Sequence, residues 1–500
     1  MPFDAPHSDA DVIVVGAGNA GFSAAHAARQ AGLRVLILER EPAERAGGNS
    51  FYTAGATRIS HRGLDDLIEL VEPDERITRA EVPPYPPEDY AADLARVTDG
   101  RNDPVLTTVL IEESRDALRW LHGLGLRYRL LFERQAYERE GRYLFWGGLH
   151  IGNVDGGQGA IADHTRVAAK LGEDVRYGVH CVDLLEENGR IVGVVAGQDG
   201  ARREFRAGAV VLAAGGFEAN AELRERYLGA GWAKAKVRGT PANTGDMLRA
   251  ALDRGAARGG DWSSAHSVQW DAFAPHNESN RELTNRLTRQ SYPLGIIVNR
   301  DGARFVDEGA DFRNYTYAKY GRAILEQPGS VAWQIFDARL RPMLRPEEYE
   351  MPGVSVVTAD TIEELARAAG IEPSGLARTV SEFNGAIDTS RAFDPNIKDG
   401  RRADVVPPKS NWAQAIETGP FYAFAVTCGV TFTFGGLRGD ADGQVLNSAG
   451  EPIPGLYACG EALGGLFSGN YPGGSGLAAG VVFGRRAGVA AARCASAVAA

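Results

Sequence analysis

The stretch Asp11–Arg40, DVIVVGAGNAGFSAAHAARQAGLRVLILER, constrains the fold more than any other part of this chain. An apolar strand over Asp11–Val15 runs into a glycine turn, then a helix, then a second apolar strand over Arg34–Leu38 that ends on Glu39. The turn, GAGNAG, fits G-x-G-x-x-G. Gly16 permits the tight turn, Gly18 lets backbone approach a pyrophosphate, and Gly21 allows close packing of helix on strand. A diphosphate then rests on the helix N-terminus, where free N–H groups and the helix dipole favour negative charge. Glu39 stands where an acceptor for a ribose hydroxyl is needed. Strand, glycines, helix and acid agree on dinucleotide binding.

Three further glycine-rich segments repeat the theme of small residues delivered to a cofactor: GGNSFYTAGATR (47–58), AGAVVLAAGGF (207–217) and GLYACGEALGG (455–465). The first is longer than a minimal NAD fold needs and is suited to run beneath a pyrophosphate and a flavin ring. A hairpin is expected at Asn188-Gly189, between alternating apolar residues. Between about 240 and 420 the texture changes to aromatic, arginine-rich loops and the helical stretch TIEELARAAGIEPSGLARTVSEFNGAID. The expected fold is α/β, a Rossmann-like FAD-binding domain with an inserted α+β capping domain. The boundaries read as 1–240 and 421–500 for the cofactor domain and 241–420 for the cap.

Composition narrows the class. Net charge is 54 − 65 = −11, which excludes a nucleic-acid binder. The four cysteines, Cys181, Cys428, Cys459 and Cys494, form no C-x-x-C pair, so no haem or iron–sulfur group and no metal site is expected. The N-terminus shows no signal pattern, and no apolar run approaches the ~20 residues that span a bilayer. A cytoplasmic protein is therefore expected. The small, apolar C-terminus reads as a buried helix with a frayed tail.

These segments, taken together, resemble the flavoprotein family of fumarate reductases, succinate dehydrogenases and 3-ketosteroid Δ1-dehydrogenases. The resemblance implies FAD, with Glu39 at the adenosine ribose and Asn49, Ser50, Ala54 and Gly55 along flavin and pyrophosphate. It implies Glu461 at ribityl or ribose hydroxyls, and Ser475, Gly476 and Leu477 at the isoalloxazine. It further places Asn19, Ala20, Arg40, Gly48, Val182, Ala214, Gly215, Gly216, Asp246 and Gly460 at the cofactor. Segment 49–55 lacks the histidine through which some members bind flavin covalently, so FAD is expected to be noncovalent.

The substrate end departs from the fumarate-reductase branch. In TFTFGG (431–436), Phe432 stands where that branch has a carboxylate-binding histidine. In GNYPGGSGL (469–477), Tyr471 stands where it has a clamping arginine. Arginine binds carboxylates with a two-pronged fork and tyrosine does not, which argues against fumarate or succinate. GARFVDEGADFRNYTYAKYGR (302–322) resembles the branch's segment that implies a Glu308–Arg313 proton relay. QIFDARLRPML (334–344) resembles the segment of the catalytic arginine, with Arg341 best matched and Arg339 and Arg345 as rivals.

NYPGG, VTCGVTFTFGG and RFVDEGADFRNYTYAKYGR together resemble tricarballylate dehydrogenase most, which implies a polycarboxylic acid substrate and a separate electron-accepting protein or quinone. Arg58, His266, Phe432 and Thr433 are the candidate substrate contacts, with His150 and His164 behind them. A tyrosine in a Tyr-Pro-Gly setting also resembles the ketosteroid dehydrogenases, where its hydroxyl polarises a ketone, although Ser475 stands where that family has glycine. Tyr471 alternatively caps the flavin edge or packs on Trp146. A flavin-binding module without catalysis is the reading outside the enzyme class.

Overall fold

A computed structural model of the chain describes residues 8–198 and 200–499. Met1–His7, part of the stretch in which no signal pattern is read, lies outside the described residues. The chain forms two compact units. Of the described residues, the first comprises 8–198, 200–228, 240–265 and 432–499, and the second 229–239 and 266–431.

In the first unit, β1 (Val12–Val15), α1 (Asn19–Gln30) and β2 (Val35–Leu38) form the expected parallel βαβ. Every residue of both strands is buried, as β-branched and leucine side chains under helices on both faces must be. β1 lies between β2 and the strand Ala209–Leu212, Val12 pairing with Val35 on one side and Ala209 on the other. Pro452–Ala458 extends the sheet in parallel and Gln444–Leu446 closes that edge antiparallel, while Asp174–Arg176 forms the other edge. The hairpin His180–Glu187/Arg190–Gln198 turns at Asn188 and Gly189, with φ of 49° and 76°, the left-handed pair that a two-residue hairpin turn requires.

The C-terminal helix Ser475–Ala499 crosses α1 at a glycine ladder. A Cβ on Gly484 would lie 2.6 Å from the Ala20 carbonyl oxygen, and one on Gly488 2.2 Å from that of Ala24. Contrary to the expected frayed tail, the helix continues to Ala499, because the alanine-rich end has the highest intrinsic helix propensity. Among the described residues no helix is long and apolar enough to cross a membrane.

The second unit is built on the strand Phe421–Thr433, which pairs with Val331–Phe336, Val356–Ala359, Lys236–Val237 and Ala265–Asp271. The expected helical stretch forms two helices. Thr361 caps Ile362–Ala369 by accepting from Glu364 N–H, and Gly370 ends it in the left-handed region. Pro373 then starts Pro373–Gly385. Leu365, Leu376, Val380 and Phe383 from these helices close a core with Ile296, Ile335 and Phe421.

The unit boundary differs from 240/241. Residues 240–265 fold with the first unit because Ala257 N–H donates to Leu446 O, Arg258–Gly259 pairs with Gly436–Leu437, and His180 Nε2 lies 3.0 Å from Asp246. Residues 229–239 fold with the second, Lys236 and Val237 adding a parallel strand beside Gly429 and Val430.

Candidate active site

The glycine turn is shaped by contact. Gly16 has φ of 106°, and a Cβ there would lie 2.5 Å from the Ala213 carbonyl oxygen, so a side chain is excluded by both torsion and space. A Cβ on Gly21 would lie 1.9 Å from Gly16 O, which accounts for the third glycine. Glu39 is buried, its Oε2 accepting from Ala17 N–H (2.8 Å) and its Oε1 from Glu41 N–H (2.9 Å). Burial raises its pKa against those hydrogen bonds. Each oxygen keeps a second lone pair for a ribose hydroxyl.

Asn19 ties three cofactor segments together. Its N–H donates to Ser50 Oγ (3.1 Å) and its Nδ2 to Leu477 O (3.0 Å). Beside it, Ala20 faces Gly460, where a Cβ would come within 2.7 Å of the Ala20 Cβ. Gly48 starts the one-turn helix Gly48–Phe51 with open space where its side chain would be, and Ala54 precedes Gly55, which closes on Gly156. Val182 is exposed on its strand. Arg40 donates to Ala242 O and Thr244 Oγ1. Burial alone would raise the Asp246 carboxyl, but hydrogen bonds from Thr244 and His180, with the charges of His180 and Arg40, hold it below its ordinary value.

Sequence reasoning missed Glu218. It lies just past Ala214, Gly215 and Gly216 and is wholly buried, accepting from Asn49 Nδ2 and Asn243 Nδ2 at 2.6 Å each. Glu461 accepts from Thr433 N–H (2.7 Å) and Thr433 Oγ1 (3.1 Å), so Thr433, expected at the substrate, is engaged with Glu461. A Cβ on Gly216 would lie 2.1 Å from Glu461 Oε1. Burial raises both carboxyls, and the neighbouring Glu218 pushes Glu461 further up. The GGFE run could have flagged it, since an acid directly after close-approach glycines is costly unless it has partners.

Tyr471 sits in an aromatic wall. It is nearly buried, with ring centroids 5.2 Å from Phe432, 5.2 Å from Phe467 and 6.4 Å from Phe434. Arg58 is a correction. It is 0% exposed, its N–H donates to Gly474 O, its Nε donates to Gly473 O, and it lies against the rings of Tyr85 and Tyr90. The Nε bond and the two rings tie this guanidinium to the Tyr471 loop. Ser475 Oγ accepts from Tyr90 OH at 2.9 Å, and a Cβ on Gly476 would lie 3.6 Å from Phe432. Asp261 holds the loop's other end through Ser264 and Ser468.

In the second unit, His266 is buried against Tyr317, and burial, with the charge of Arg238, pushes its pKa well down. Arg238, a residue not singled out from sequence, donates to Thr431 Oγ1 (2.8 Å) and to Asn285 Oδ1. Glu308 does not pair with Arg313. Its Oε1 accepts from Ile297 N–H (2.8 Å) and Arg304 Nε (3.1 Å), and its Oε2 from Arg304 Nη2. Arg313 is buried at the start of the short helix Arg313–Tyr315.

The three candidate arginines differ in what restrains them. Arg339 is bound to Asp337, Glu417 and Ala415 O, and Arg345 to Glu347 and Glu348. Among the described residues, the Arg341 guanidinium bonds Glu350, an exposed partner at 3.2 Å, and the Tyr349 carbonyl at 3.3 Å, and lies over the rings of Tyr422 and Phe424. Of the remaining histidines, His150 bonds His61 and His164 bonds His26.

Residues 11–477 match the FAD binding domain family. The chain belongs to that family. It is similar to the probable fumarate reductase Ifc3 of Shewanella frigidimarina (strain NCIMB 400), 32% identical over 500 residues, covering 97% of this chain and 75% of that protein. It is similar to 3-oxosteroid 1-dehydrogenase of Mycolicibacterium smegmatis, 31% identical over 354 residues, covering 66% of this chain and 61% of the other. Among solved structures it superposes on the open conformation of a flavocytochrome c3 fumarate reductase with a TM-score of 0.73 at 28% identity, over 98% of this chain and 79% of that one.

The protein is thus an FAD-dependent oxidoreductase acting on CH–CH groups. The residues present fit FAD: α1 opens at Gly18 with no acid in its first turn, Glu39 offers lone pairs, and the space beside Gly48 is open.

Proposed function

We propose that this flavoprotein moves hydrogen across a C–C bond next to a carboxylate or ketone, and that Tyr471 donates a hydrogen bond to that activating oxygen. The observation that carries this reading is the placement of one phenol within the wall of Phe432, Phe434 and Phe467. An apolar surround strengthens a single donor aimed at developing negative charge. FAD, when bound, supplies the hydride acceptor or donor. The turn Gly16–Gly21 and α1 would hold the diphosphate, Glu39 a ribose, Asn49, Ser50 and Glu461 the middle of the cofactor, and Ser475–Leu477 its ring. Arg341, held by one exposed carboxylate, is the candidate proton donor to carbon in the reducing direction, a role that rests on the resemblance of QIFDARLRPML to the catalytic-arginine segment.

For the substrate, our first reading is a tricarballylate-like polycarboxylic acid. The second reading, a ketone-directed dehydrogenase, draws on the enclosure of Arg58 and the aromatic wall, and on the name of the 3-oxosteroid relative. FAD is noncovalent in either case, and electrons leave to a separate protein or a quinone. Anaerobic stopped-flow absorbance with tricarballylate, succinate, a cyclic ketone acid and a 3-ketosteroid separates the two. Bleaching by a polyacid supports the first reading, bleaching only by ketones replaces it with the second, and bleaching by none sinks both. Yellow colour in an acid-precipitated pellet would overturn noncovalent binding.

A further inference from the structure

Asn19 also leads away from the cofactor, into the interior of the first unit. Its Oδ1 lies 3.2 Å from His164 Nε2, His164 Nδ1 lies 3.1 Å from His26 Nε2, and His26 Nδ1 lies 2.8 Å from Glu173 Oε1. Asn19 is 7% exposed, both histidines are 0% exposed, and the Glu173 side chain is fully covered. The two imidazoles lie within 28° of one plane, with Phe22 stacked on His164. His26, His164 and Glu173 are not required by the chemistry proposed above.

Counting hydrogens decides what this row holds. Asn19 Nδ2 donates to the Leu477 carbonyl, so Oδ1 must face His164; a flipped amide would set its oxygen against another oxygen. Both ends of the row, Asn19 Oδ1 and the Glu173 carboxylate, are therefore acceptors. Between them lie three gaps, and each needs one hydrogen. Two neutral imidazoles bring only two, so the row is complete only with a third proton, on an imidazole or on Glu173. Every complete arrangement puts a hydrogen on His164 Nε2 and leaves the row with no net charge. Burial pushes the His164 pKa well down, which disfavours the added proton on that ring.

We propose that Glu173, His26, His164 and Asn19 form a buried, electrically neutral relay holding three shared protons, and that it is a positioning unit. It locks the Asn19 amide onto Leu477 O, and so fixes the start of α1 against the start of the C-terminal helix where FAD is held. A merely space-filling pair of histidines would leave the proton count and the amide orientation free.

Long-range proton–nitrogen spectra of 15N-histidine-labelled, FAD-loaded protein test the count without any variant in the spectrum's interpretation beyond assignment by His26→Asn. The expected result is a hydrogen on His164 Nε2 that persists across neutral pH; a bare His164 Nε2 overturns the relay. Release of FAD, followed by the rise of flavin fluorescence on dilution, tests positioning. His164→Phe should weaken FAD binding about tenfold, whereas Glu173→Gln, whose NH2 reproduces the protonated carboxyl, should bind FAD as the unaltered protein does. Equal affinity in His164→Phe, or equal loss in Glu173→Gln, overturns the positioning role. If His164→Phe does not fold, Asn19→Ser takes its place with the same expected loss.

Discussion

Some buried carboxyls of the two units are held in opposite ways. In the second, buried carboxylates meet arginine: Glu308 with Arg304, and Asp271 with Arg289 at 2.5 Å. In the first, Glu39 is held by N–H groups, and Glu218 and Glu461 are set beside each other, with asparagine and threonine as donors and Glu461 close under Gly216. A carboxylate matched to a guanidinium is finished scaffold; removing one partner strands the other charge. A carboxyl held by neutral donors keeps lone pairs for hydroxyl groups that arrive with a ligand. The difference teaches that Glu308 and Asp271 brace the second unit, while Glu39, Glu218 and Glu461 keep lone pairs suited to a ligand's hydroxyls.

The largest expected effect breaks the bracing. Glu308→Gln strands Arg304 and should destabilise the protein by about 3–5 kcal/mol in urea unfolding; an unchanged midpoint would show that the pair is not structural. Next comes Tyr471→Phe, which should slow flavin reduction about 100-fold while FAD stays bound, the scale of a lost oxyanion donor. Full activity there removes the carbonyl-polarising role. Arg341→Lys should cost about tenfold or more in turnover, since an ammonium does not reproduce the planar fork. Arg339→Lys should cost little, and the reverse order would move the role to Arg339.

The smallest effect sharpens the contrast, because it is the same type of substitution as the first. Glu218→Gln keeps an acceptor for Asn49 and Asn243 and removes the clash of two carboxyls. A carboxyl with a raised folded-state pKa contributes stability below its unfolded value of 4.5 that is lost as pH rises through the folded one. The unaltered protein should therefore lose stability above about pH 4.5 through this pair, and Glu218→Gln should flatten that slope in chemical denaturation at several pH values. A slope as steep as before would mean that the pair shares no proton.

Legibility follows sequence separation. The βαβ unit and the Asn188-Gly189 hairpin are local, so periodicity and turn chemistry expose them. The caps Thr361, Gly370 and Pro373 belong to the same class. The partner of Glu308 was not legible, because Arg304 and Arg313 both flank it in sequence and only the fold puts Arg304 Nε 3.1 Å from its oxygen. Arg58 reads as a free cation in GGNSFYTAGATR, yet Gly473 and Gly474, far along the chain, cover it. Arg238 carries no motif and stands out only beside Thr431, Asn285 and His266.

What the sequence determined by itself is the dinucleotide turn, the α/β class and the aromatic replacements at Phe432 and Tyr471, because each depends on residues adjacent in the chain or on side-chain chemistry alone. Only tertiary structure decided that Glu218 faces Glu461, that Arg58 braces a loop, and that Asn19 joins α1 to the C-terminal helix. Those outcomes depend on which distant segments share a desolvated space, where a polar atom must find a partner and chain order does not say which one.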